Sequence, residues 1–462
     1  MNRHSPEEGQ MQNAGSTGAR PYVGARRRAL LGATIGNVLE WYDFTLYAFF
    51  ASYIARQFFP SSNPTAQLLQ AFVVYGLGYL ARPVGAVVIG AFADTRGRKP
   101  AMLLTFSLMA AGTLIIVLTP PAASIGTFAT TLILVARLIQ GFSSGGEAGG
   151  SAAFLIEHAR PDRRASTAAL VQMGMAGANV LGTLAATAVT YSFNQAALES
   201  WAWRLPFALG LLIVPVGLYL RQNLDETDEF KQIMLQRQRQ TDRVSPLASL
   251  FRDDLGPVAM AFSVTILWTA TLGVLVLYFP TYSQARLGFS AGSAYAASLL
   301  GNVVVLVTAW LGGRCADRVG QRAVLLVSAC ASICLVYPAL LWLSTHRTLE
   351  TLLAVQFVFG ALTGSYCGVA ASTLLELFPA HNRSTGVSIG YNMAVVIFGG
   401  FSPAILTWLG SFAGLLAPAF YVMTAAALSL LAVLRLPAGS LAEVRASPAP
   451  GMAPQRESAR PL

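Results

Sequence analysis

The sequence predicts an all-α membrane protein in which about twelve transmembrane helices form two similar six-helix bundles. The first observation is composition, because 54% of the 462 residues are hydrophobic and 11% are charged. A soluble domain carries about 25% charged residues, so this chain has too few charges to form a water-soluble surface. The second observation is a series of long apolar stretches, and the third is a motif that recurs in the second half of the chain.

Twelve apolar stretches, each bounded by glycine, proline or charged residues, follow one another along the chain. A spanning helix needs about 20 mostly apolar residues, and these stretches are of that order or longer. They are 29–54, 66–92, 101–119, 125–156, 165–191, 203–220, 257–282, 293–313, 323–344, 350–377, 385–410 and 414–436. The predicted organisation is a disordered cytoplasmic tail over 1–25, a first bundle over 26–221, a cytoplasmic linker over 222–256, a second bundle over 257–436 and a disordered cytoplasmic tail over 437–462.

The basic residues predict the orientation of the chain in the membrane. The net charge is +10, but Lys and Arg are scattered through short loops, which indicates a topology signal rather than a nucleic-acid-binding face. With both termini in the cytoplasm, about 25 of the 31 basic residues lie on the cytoplasmic side, as the positive-inside rule requires. Residues 1–20 lack the apolar core of a cleavable signal, so the first spanning helix is expected to direct insertion. We therefore predict a multi-pass protein of the bacterial inner membrane with no nucleic-acid partner.

The loop after the second apolar stretch carries a motif of glycines and charges that recurs after the eighth stretch, 223 residues later. Its first copy consists of Gly90, Asp94, Gly97, Arg98 and Lys99, and its second copy of Gly313, Asp317, Gly320, Gln321 and Arg322. The fourth and tenth stretches match at an offset of 219. There Gly141, Gly145, Gly149, Glu157 and Arg164 correspond to Gly360, Gly364, Gly368, Glu376 and Arg383. A duplicated six-helix unit is typical of transporters that bind substrate between two halves.

This duplicated pattern resembles the major facilitator superfamily, whose loop motif Gly-x3-Asp-x2-Gly-Arg-Arg/Lys matches residues 90–99. A finer resemblance, to the bacterial metabolite:proton symporter family, extends over about residues 30 to 436. It is carried by Gly36-Asn37, Glu40 to Phe44, Arg82 to Gly85, Arg137 to Glu147, Trp201 to Phe207, Leu224 to Thr227, Pro280 to Tyr282 and Ile397 to Gly400. The resemblance implies the twelve-helix major facilitator fold and secondary active transport by alternating access, with protons and a small molecule as partners.

Within that family, residues 280–282 and 398–403 are most similar to the citrate and tricarballylate symporters, and helices one, two and four are about equally similar to the 2-oxoglutarate symporter. The resemblance therefore implies proton-coupled symport of a small organic carboxylate, either a citrate-like tricarboxylate or a 2-oxoglutarate-like dicarboxylate. Two alternatives stay open, namely proton symport of a zwitterionic osmolyte (proline or betaine) or a shikimate-like acid, and efflux by antiport. Two features depart from family patterns. Gln321 stands where the loop motif usually has a basic residue, and the long C-terminal coiled coil of the proline/betaine branch is absent.

The sequence does not indicate an enzyme. The four histidines lie in tails or at loop edges, and the four cysteines have no metal-binding spacing. They are His4, His158, His346 and His381, and Cys315, Cys330, Cys334 and Cys367. We therefore predict no catalytic residue, no metal and no cofactor, and a chain that functions as a monomer.

Five ionisable residues fall within the apolar stretches of the first half, namely Glu40, Asp43, Arg82, Arg137 and Glu147. Because charge near the middle of a bilayer is energetically unfavourable, such residues are usually functional and paired. Burial favours the protonated form of a carboxyl and a nearby arginine favours the ionised form, so one of the three carboxylates is expected to exchange a proton. Asp43, Glu147 and Glu40 are the proton-coupling candidates. The alternative is a static ion network that determines helix packing.

Arg137 and Arg82 are candidate substrate ligands, because a guanidinium matches a carboxylate with two hydrogen bonds. Gln140 and Gln172 could add amide contacts. For Arg82 the alternative is packing at a bend, since Pro83 follows it directly. The second half has no ionisable residue deep in a span, and each aromatic residue there fits a core or lipid-interface role as well as substrate contact. Its candidate contacts are Trp268 and Tyr278, which share one helical stripe with Thr271 and Tyr282, together with Tyr391 and Asn392.

The charges of the recurring motifs are expected at the cytoplasmic edge, where opposite signs can pair across the halves when the inner side is closed. They are Asp94, Arg98, Asp317, Glu157, Arg164, Glu376 and Arg383. A purely topological role for the arginines is the alternative. The glycines of the fourth stretch, Gly141, Gly145 and Gly149, recur every four residues and predict a face that a neighbouring helix approaches closely.

Overall fold

The computed structural model describes residues 38, 40–96, 98–145, 164–222, 255–378 and 383–436. Within these ranges the chain is helical almost throughout and contains no strand, which confirms the predicted all-α fold class. The long helices are α1 (40–49, continued by Ala51–Phe58), α2 (Pro64–Arg96), α3 (Arg98–Leu118), α4 (Thr127–Gly145), α5 (Arg164–Ser192), α6 (Leu205–Gln222), α7 (Leu255–Ala285), α8 (Ala291–Val319), α9 (Gln321–Thr345), α10 (Leu349–Glu376), α11 (Arg383–Ala394, Val395–Gly400 and Ser402–Ala413) and α12 (Ala417–Leu434). Both predicted tails and nearly all of the predicted linker lie outside the described residues.

The outer surface of the helix assembly is apolar, as a hydrocarbon solvent requires. Large aliphatic side chains face outward, including Val87 at 62% exposure, Val327 at 69% and Leu431 at 60%. Among the described residues, nine helices are long and apolar enough to cross a membrane. A helix that is apolar on every side is typical of a membrane span.

Close glycine contacts show the internal duplication in three dimensions. A Cβ added to Gly141 of α4 would lie 1.7 Å from the carbonyl oxygen of Gly78 in α2. A Cβ added to Gly360 of α10 would lie 2.6 Å from the carbonyl oxygen of Gly301 in α8. Gly78 and Gly301 are related by the same offset of 223 that relates the loop motifs. The contact between α2 and α4 is therefore repeated by α8 and α10.

The two halves meet along α5 and α8. The side-chain amide of Asn302 in α8 donates to the hydroxyl of Thr183 in α5 at 3.2 Å. Near the end that was predicted to be cytoplasmic, the Asp317 carboxylate accepts hydrogen bonds from the backbone amides of Ala165 and Ser166, at 3.0 and 3.2 Å. Asp317 of the second half thus accepts hydrogen bonds from the first turn of α5 in the first half. Backbone amides in the first turn of a helix have no partner within the helix, so a negative charge is favourable there.

The halves also meet where α1 contacts α8 and where α2 contacts α11. The Tyr295 hydroxyl of α8 donates to the Phe49 carbonyl of α1 at 2.8 Å. Gly76 of α2 faces the ring of Phe401, and a Cβ at Gly76 would lie 2.6 Å from that ring. These contacts lie on the side of the membrane where α1 ends and α2 begins, so the halves touch there as well as at Asp317.

Two helices of the second half contain a wider, π-helical turn, over Gly273–Tyr278 in α7 and over Val395–Gly400 in α11. A Cβ on Gly273 would lie 2.1 Å from the Ser402 hydroxyl, so α7 and α11 approach closely here. The predicted stripe that joins Trp268 to Tyr278 assumes a regular α-helix over this part of α7. The π-helical turn begins after Trp268 and includes Tyr278, so the assumption of a regular helix between them was wrong.

Candidate functional site

An ion pair between α1 and α2 forms the first part of the site. The Glu40 carboxylate accepts a hydrogen bond from the Arg82 guanidinium. The Ser144 hydroxyl of α4 donates to Glu40 Oε1 at 2.6 Å and accepts from Arg82 Nη2 at 3.1 Å. All three side chains are buried. This unit is neutral overall and joins three helices, so removing either charge would leave the other buried without its partner.

A chain of hydrogen bonds joins Arg137 to Asp43. Arg137 Nη1 donates to Gln140 Oε1 at 2.7 Å, one turn along α4. Gln140 Nε2 donates to the Thr113 hydroxyl of α3 at 3.0 Å, and that hydroxyl donates to Asp43 Oδ2 of α1. Every bond in the chain points toward Asp43. Asp43 is therefore the terminal acceptor of the chain.

Arg137 is fully buried and lies among aromatic rings. Its guanidinium carbon is 4.3 Å from the ring centroid of Phe44, 4.6 Å from that of Tyr47 and 4.8 Å from that of Tyr75. Within the described part of the chain, neither ion pair includes Arg137, and its Nε and Nη2 have no hydrogen-bond partner. Ring faces attract a cation but do not accept hydrogen bonds as a carboxylate does. The guanidinium therefore keeps donors for an anion.

The second half brings aromatic side chains to the same region. The rings of Trp268 in α7 and Tyr391 in α11 lie 5.0 Å apart, and Tyr391 is near enough to Arg82 to interact with it electrostatically. Among the described residues, Trp268 Nε1 is buried without a hydrogen-bond partner. The Asn392 amide donates to the Ser388 carbonyl at 2.8 Å, and its Oδ1 is buried and unbonded within the same ranges. Three predicted contacts, Arg82, Trp268 and Tyr391, are thus brought together.

Two other predicted contacts lie elsewhere. Gln172 of α5 lines a cavity between the halves, which Trp41, Asn179 and Leu272 also line. The Tyr278 hydroxyl donates to the Leu406 carbonyl at 3.4 Å, and the Tyr278 ring lies 6.3 Å from that of Phe72. Tyr278 therefore bridges α7, α11 and α2 in the contact region between the halves.

Several predicted gate and packing residues fall outside what the structure describes. Gly97, Glu147, Gly149 and Glu157 lie outside the described residues, and the side chains of Asp94, Arg98, Lys99, Arg164 and Arg383 are not described. Gln321 Nε2 donates to Glu376 Oε1 at 3.0 Å, and Arg322 donates to the Leu434 carbonyl at 2.9 Å. Gly320 ends α8 with a φ of 90°, a left-handed conformation that favours glycine. A Cβ at Gly90 would meet nothing within 4 Å, and Gly313 packs on Ala165 and Ala169 of α5.

Sequence reasoning missed Thr113, Phe44 and Tyr75. Thr113 joins the two ends of the Arg137–Asp43 chain, and Phe44 lies against both buried arginines, 5.4 Å from Arg82 and 4.3 Å from Arg137. The spacing of Tyr75 could have identified it, because Tyr75 lies two turns before Arg82 on the same face of the same helix. No such signal marks Thr113, since threonines are common in the apolar stretches.

Comparison with known proteins decides the family. The family model described as Major Facilitator Superfamily matches residues 33–346. This chain belongs to the Major Facilitator Superfamily. The resemblance drawn from the loop and helix motifs is thereby confirmed, and the chain is a multi-pass membrane transporter.

Curated and solved members of the superfamily extend the comparison. The citrate-proton symporter of Klebsiella pneumoniae is 36% identical over 417 residues, covering 88% of this chain and 91% of that protein. The alpha-ketoglutarate permease of Escherichia coli K12 is 34% identical over 417 residues, covering 89% and 94%. A crystal structure of a D-xylose-proton symporter superposes with a TM-score of 0.71 at 16% identity, covering 88% of this chain and 96% of that one. At that identity the structural match establishes the major facilitator fold and nothing more specific.

Proposed function

We propose that this major facilitator carries a small organic carboxylate together with protons across the bacterial inner membrane, with both termini in the cytoplasm. The observation that carries the proposal is Arg137, a fully buried cation with two donors that find no partner among the described residues and a hydrogen-bonded connection to a buried carboxyl. A guanidinium is suited to bind a carboxylate at such a position. The names of the relatives, a citrate-proton symporter and an alpha-ketoglutarate permease, support the same class of substrate.

Charge balance supplies the coupling. Among the described residues, Glu40 and Arg82 neutralise one another, which leaves Asp43 and Arg137 as the variable pair. When Asp43 is ionised, the site is balanced and an anionic substrate gains little. When Asp43 is protonated, the site carries a net positive charge, and a substrate carboxylate restores the balance. Release of the proton then weakens the hold on the substrate, so the two travel together.

Residues of the second half complete the binding surface. Trp268 Nε1 is a buried donor without a partner among the described residues, and Arg82 has two further unbonded donors, Nε and Nη1. A substrate with more than one carboxylate could use these donors in addition to Arg137. We therefore favour a di- or tricarboxylate over a zwitterion, because both site carboxylates that the structure describes, Asp43 and Glu40, already accept hydrogen bonds.

The first prediction tests this function directly. Purified protein in lipid vesicles should accumulate labelled citrate or 2-oxoglutarate when the outside is more acidic, and an uncoupler should abolish the accumulation. A sodium gradient alone should drive none, because both described site carboxylates are committed to Arg82 and Thr113. Labelled betaine and shikimate serve as the comparison. Accumulation confined to betaine, or uptake that follows sodium and survives the uncoupler, would refute the proposal.

A further inference from the structure

Two small cavities lie on different sides of α1. One lies between the halves and is lined by Trp41 of α1 together with residues of α5, α7 and α8. The other lies inside the first bundle, between α1, α3, α4 and α6. We call these the inter-half cavity and the in-bundle cavity. They share no lining residue.

The in-bundle cavity is lined by both described site carboxylates. Glu40 and Asp43 lie on its wall, and neither lines the inter-half cavity. On α3 the wall extends from Thr113 back to Thr105, about 12 Å along the helix at the usual rise per residue. That direction leads toward Arg98, where α3 begins. The cavity therefore extends from Asp43 toward the end of the bundle that the basic loops predict to be cytoplasmic.

Four of the side chains on the wall of the in-bundle cavity carry hydroxyl groups. Thr105, Thr113, Ser143 and Ser144 all line it. Hydroxyls and confined water both donate and accept hydrogen bonds, so they can pass a proton along a narrow path. The inter-half cavity is lined mainly by apolar side chains and the amides of Gln172 and Asn179, which suit a solute better than a proton path.

We propose that protons enter and leave Asp43 through the in-bundle cavity, while the substrate uses the inter-half route. In this step a proton moves from water in the cavity to a carboxylate oxygen of Asp43 and later returns to water, with no other bond changed. Around Asp43, Thr113 faces it from α3, Arg137 from α4 and Gly210 from α6. Glu40 lines the same cavity but is held by Arg82. The proposal rests on the proposed proton symport.

A covalent block of each cavity tests the proposal. In a background with the four native cysteines replaced by serine, Ala110→Cys places one thiol on the in-bundle wall, and Ala176→Cys places one on the inter-half wall. Each protein is assayed before and after reaction with methyl methanethiosulfonate, so every sample is its own folding control. Labelled citrate and 2-oxoglutarate are used to measure binding, equilibrium exchange and proton-driven accumulation. Ser107→Cys is the matched control, because it lies on the exposed face of the same helix.

The Ala110→Cys thiol should react, because this reagent attacks a hydrated thiolate. Its modification should abolish proton-driven accumulation and leave binding and equilibrium exchange unchanged. Modification of Ala176→Cys should abolish binding and all transport, and treatment of Ser107→Cys should change nothing. Three results at Ala110→Cys would overturn the separate proton route. They are a thiol that does not react, a modification that leaves accumulation intact, and a modification that also removes substrate binding. Failure of the proposed function looks different, because the unlabelled proteins would then accumulate neither substrate on a proton gradient.

Discussion

At the scale of single residues, the surroundings of Arg137 support its proposed role as a substrate ligand. Its charge meets three aromatic rings and the Gln140 amide oxygen, and no carboxylate among the described residues pairs with it directly. A buried cation in this condition is stabilised when an anion arrives. In the proposed function, the guanidinium is thus held in place by its surroundings and is neutralised only when the substrate binds.

The second prediction concerns the geometry of that guanidinium. Arg137→Lys keeps the charge but loses the planar fork that binds a carboxylate with two hydrogen bonds. Truncating one partner of a buried charged hydrogen bond costs about 2–5 kcal/mol, and Lys should lie near the lower end because it stays charged. We expect the apparent affinity for citrate or 2-oxoglutarate to fall by about tenfold or more. The measurement is the concentration dependence of proton-driven uptake.

Arg56→Lys is the matched control for Arg137→Lys. Arg56 pairs with Glu199 at 3.7 Å, and both side chains are about half exposed. Exposed ion pairs contribute about 0–1 kcal/mol, so this change should leave the affinity unaltered. If Arg137→Lys binds substrate as tightly as the natural protein does, Arg137 does not clamp a carboxylate.

The third prediction separates the proton carrier from the structural ion pair. Asp43→Asn imitates the protonated state and keeps an acceptor for Thr113, so binding and equilibrium exchange should persist while accumulation against a gradient is lost. Glu40→Gln should instead lower thermal stability in detergent, because it leaves Arg82 buried without its partner, a change that typically costs about 3–5 kcal/mol. Glu147→Gln is assayed alongside. Accumulation that survives in Asp43→Asn and is lost in Glu147→Gln would transfer the proton-carrying role to Glu147.

At the scale of helices, the glycines of α4 and α10 set the distance to their neighbours. Gly141 and Gly145 contact backbone carbonyls of α2, and Gly360 and Gly364 contact backbone carbonyls of α8. Because Arg82 lies on α2 and Arg137 on α4, the same close contact holds the two buried arginines near Phe44. Packing in the first half therefore determines the geometry of the site.

The fourth prediction tests this packing. Gly141→Ala would place a methyl group 1.7 Å from the Gly78 carbonyl oxygen, so the helices must separate. Overpacking typically costs about 1–3 kcal/mol, and we expect a lower Tm in detergent and weaker substrate binding. Gly177→Ala is the matched control, since a Cβ there would meet nothing within 4 Å. Equal Tm values for the two variants would show that the α2–α4 contact is not tight.

At the scale of the whole molecule, the halves touch at both ends. Tyr295 and Phe49 meet near one side of the membrane, and Asp317 binds the first turn of α5 near the other. Alternating access requires these two sets of contacts to break in turn. The Asp317 contact joins the loop motif of the second half to the first bundle, which is the kind of inter-half contact expected of a charge that acts as a gate.

The fifth prediction concerns orientation. In a background without native cysteines, single cysteines replacing Arg98 and Arg164 should be protected from an impermeant thiol reagent in intact cells. A cysteine replacing Ser61, between α1 and α2, should be labelled under the same conditions. Permeabilised cells provide the control, because all three positions should then react. Labelling of position 98 from outside intact cells would reverse the predicted topology.

The sequence by itself determined the class of molecule, its spans and its repeat, because a bilayer imposes these properties locally. A span must be apolar over its own length, and a buried charge such as Arg137 is conspicuous against apolar neighbours. Helical spacing also placed Arg137, Gln140 and Ser144 on one face of α4, and their side chains do enter the same region. The set of candidate charges was therefore readable without a structure.

Only the tertiary structure decided which of those charged side chains pair with one another. Glu40 pairs with Arg82 across two helices, while Asp43 reaches Arg137 through Thr113 of a third. Partners on different helices depend on how the helices pack and rotate, and spacing along one helix carries no information about that. The π-helical turn in α7 is a second case, because the angle between Trp268 and Tyr278 depends on a local change of helical pitch. Spacing along the chain determines position along a helix, whereas contact between helices is determined by packing alone.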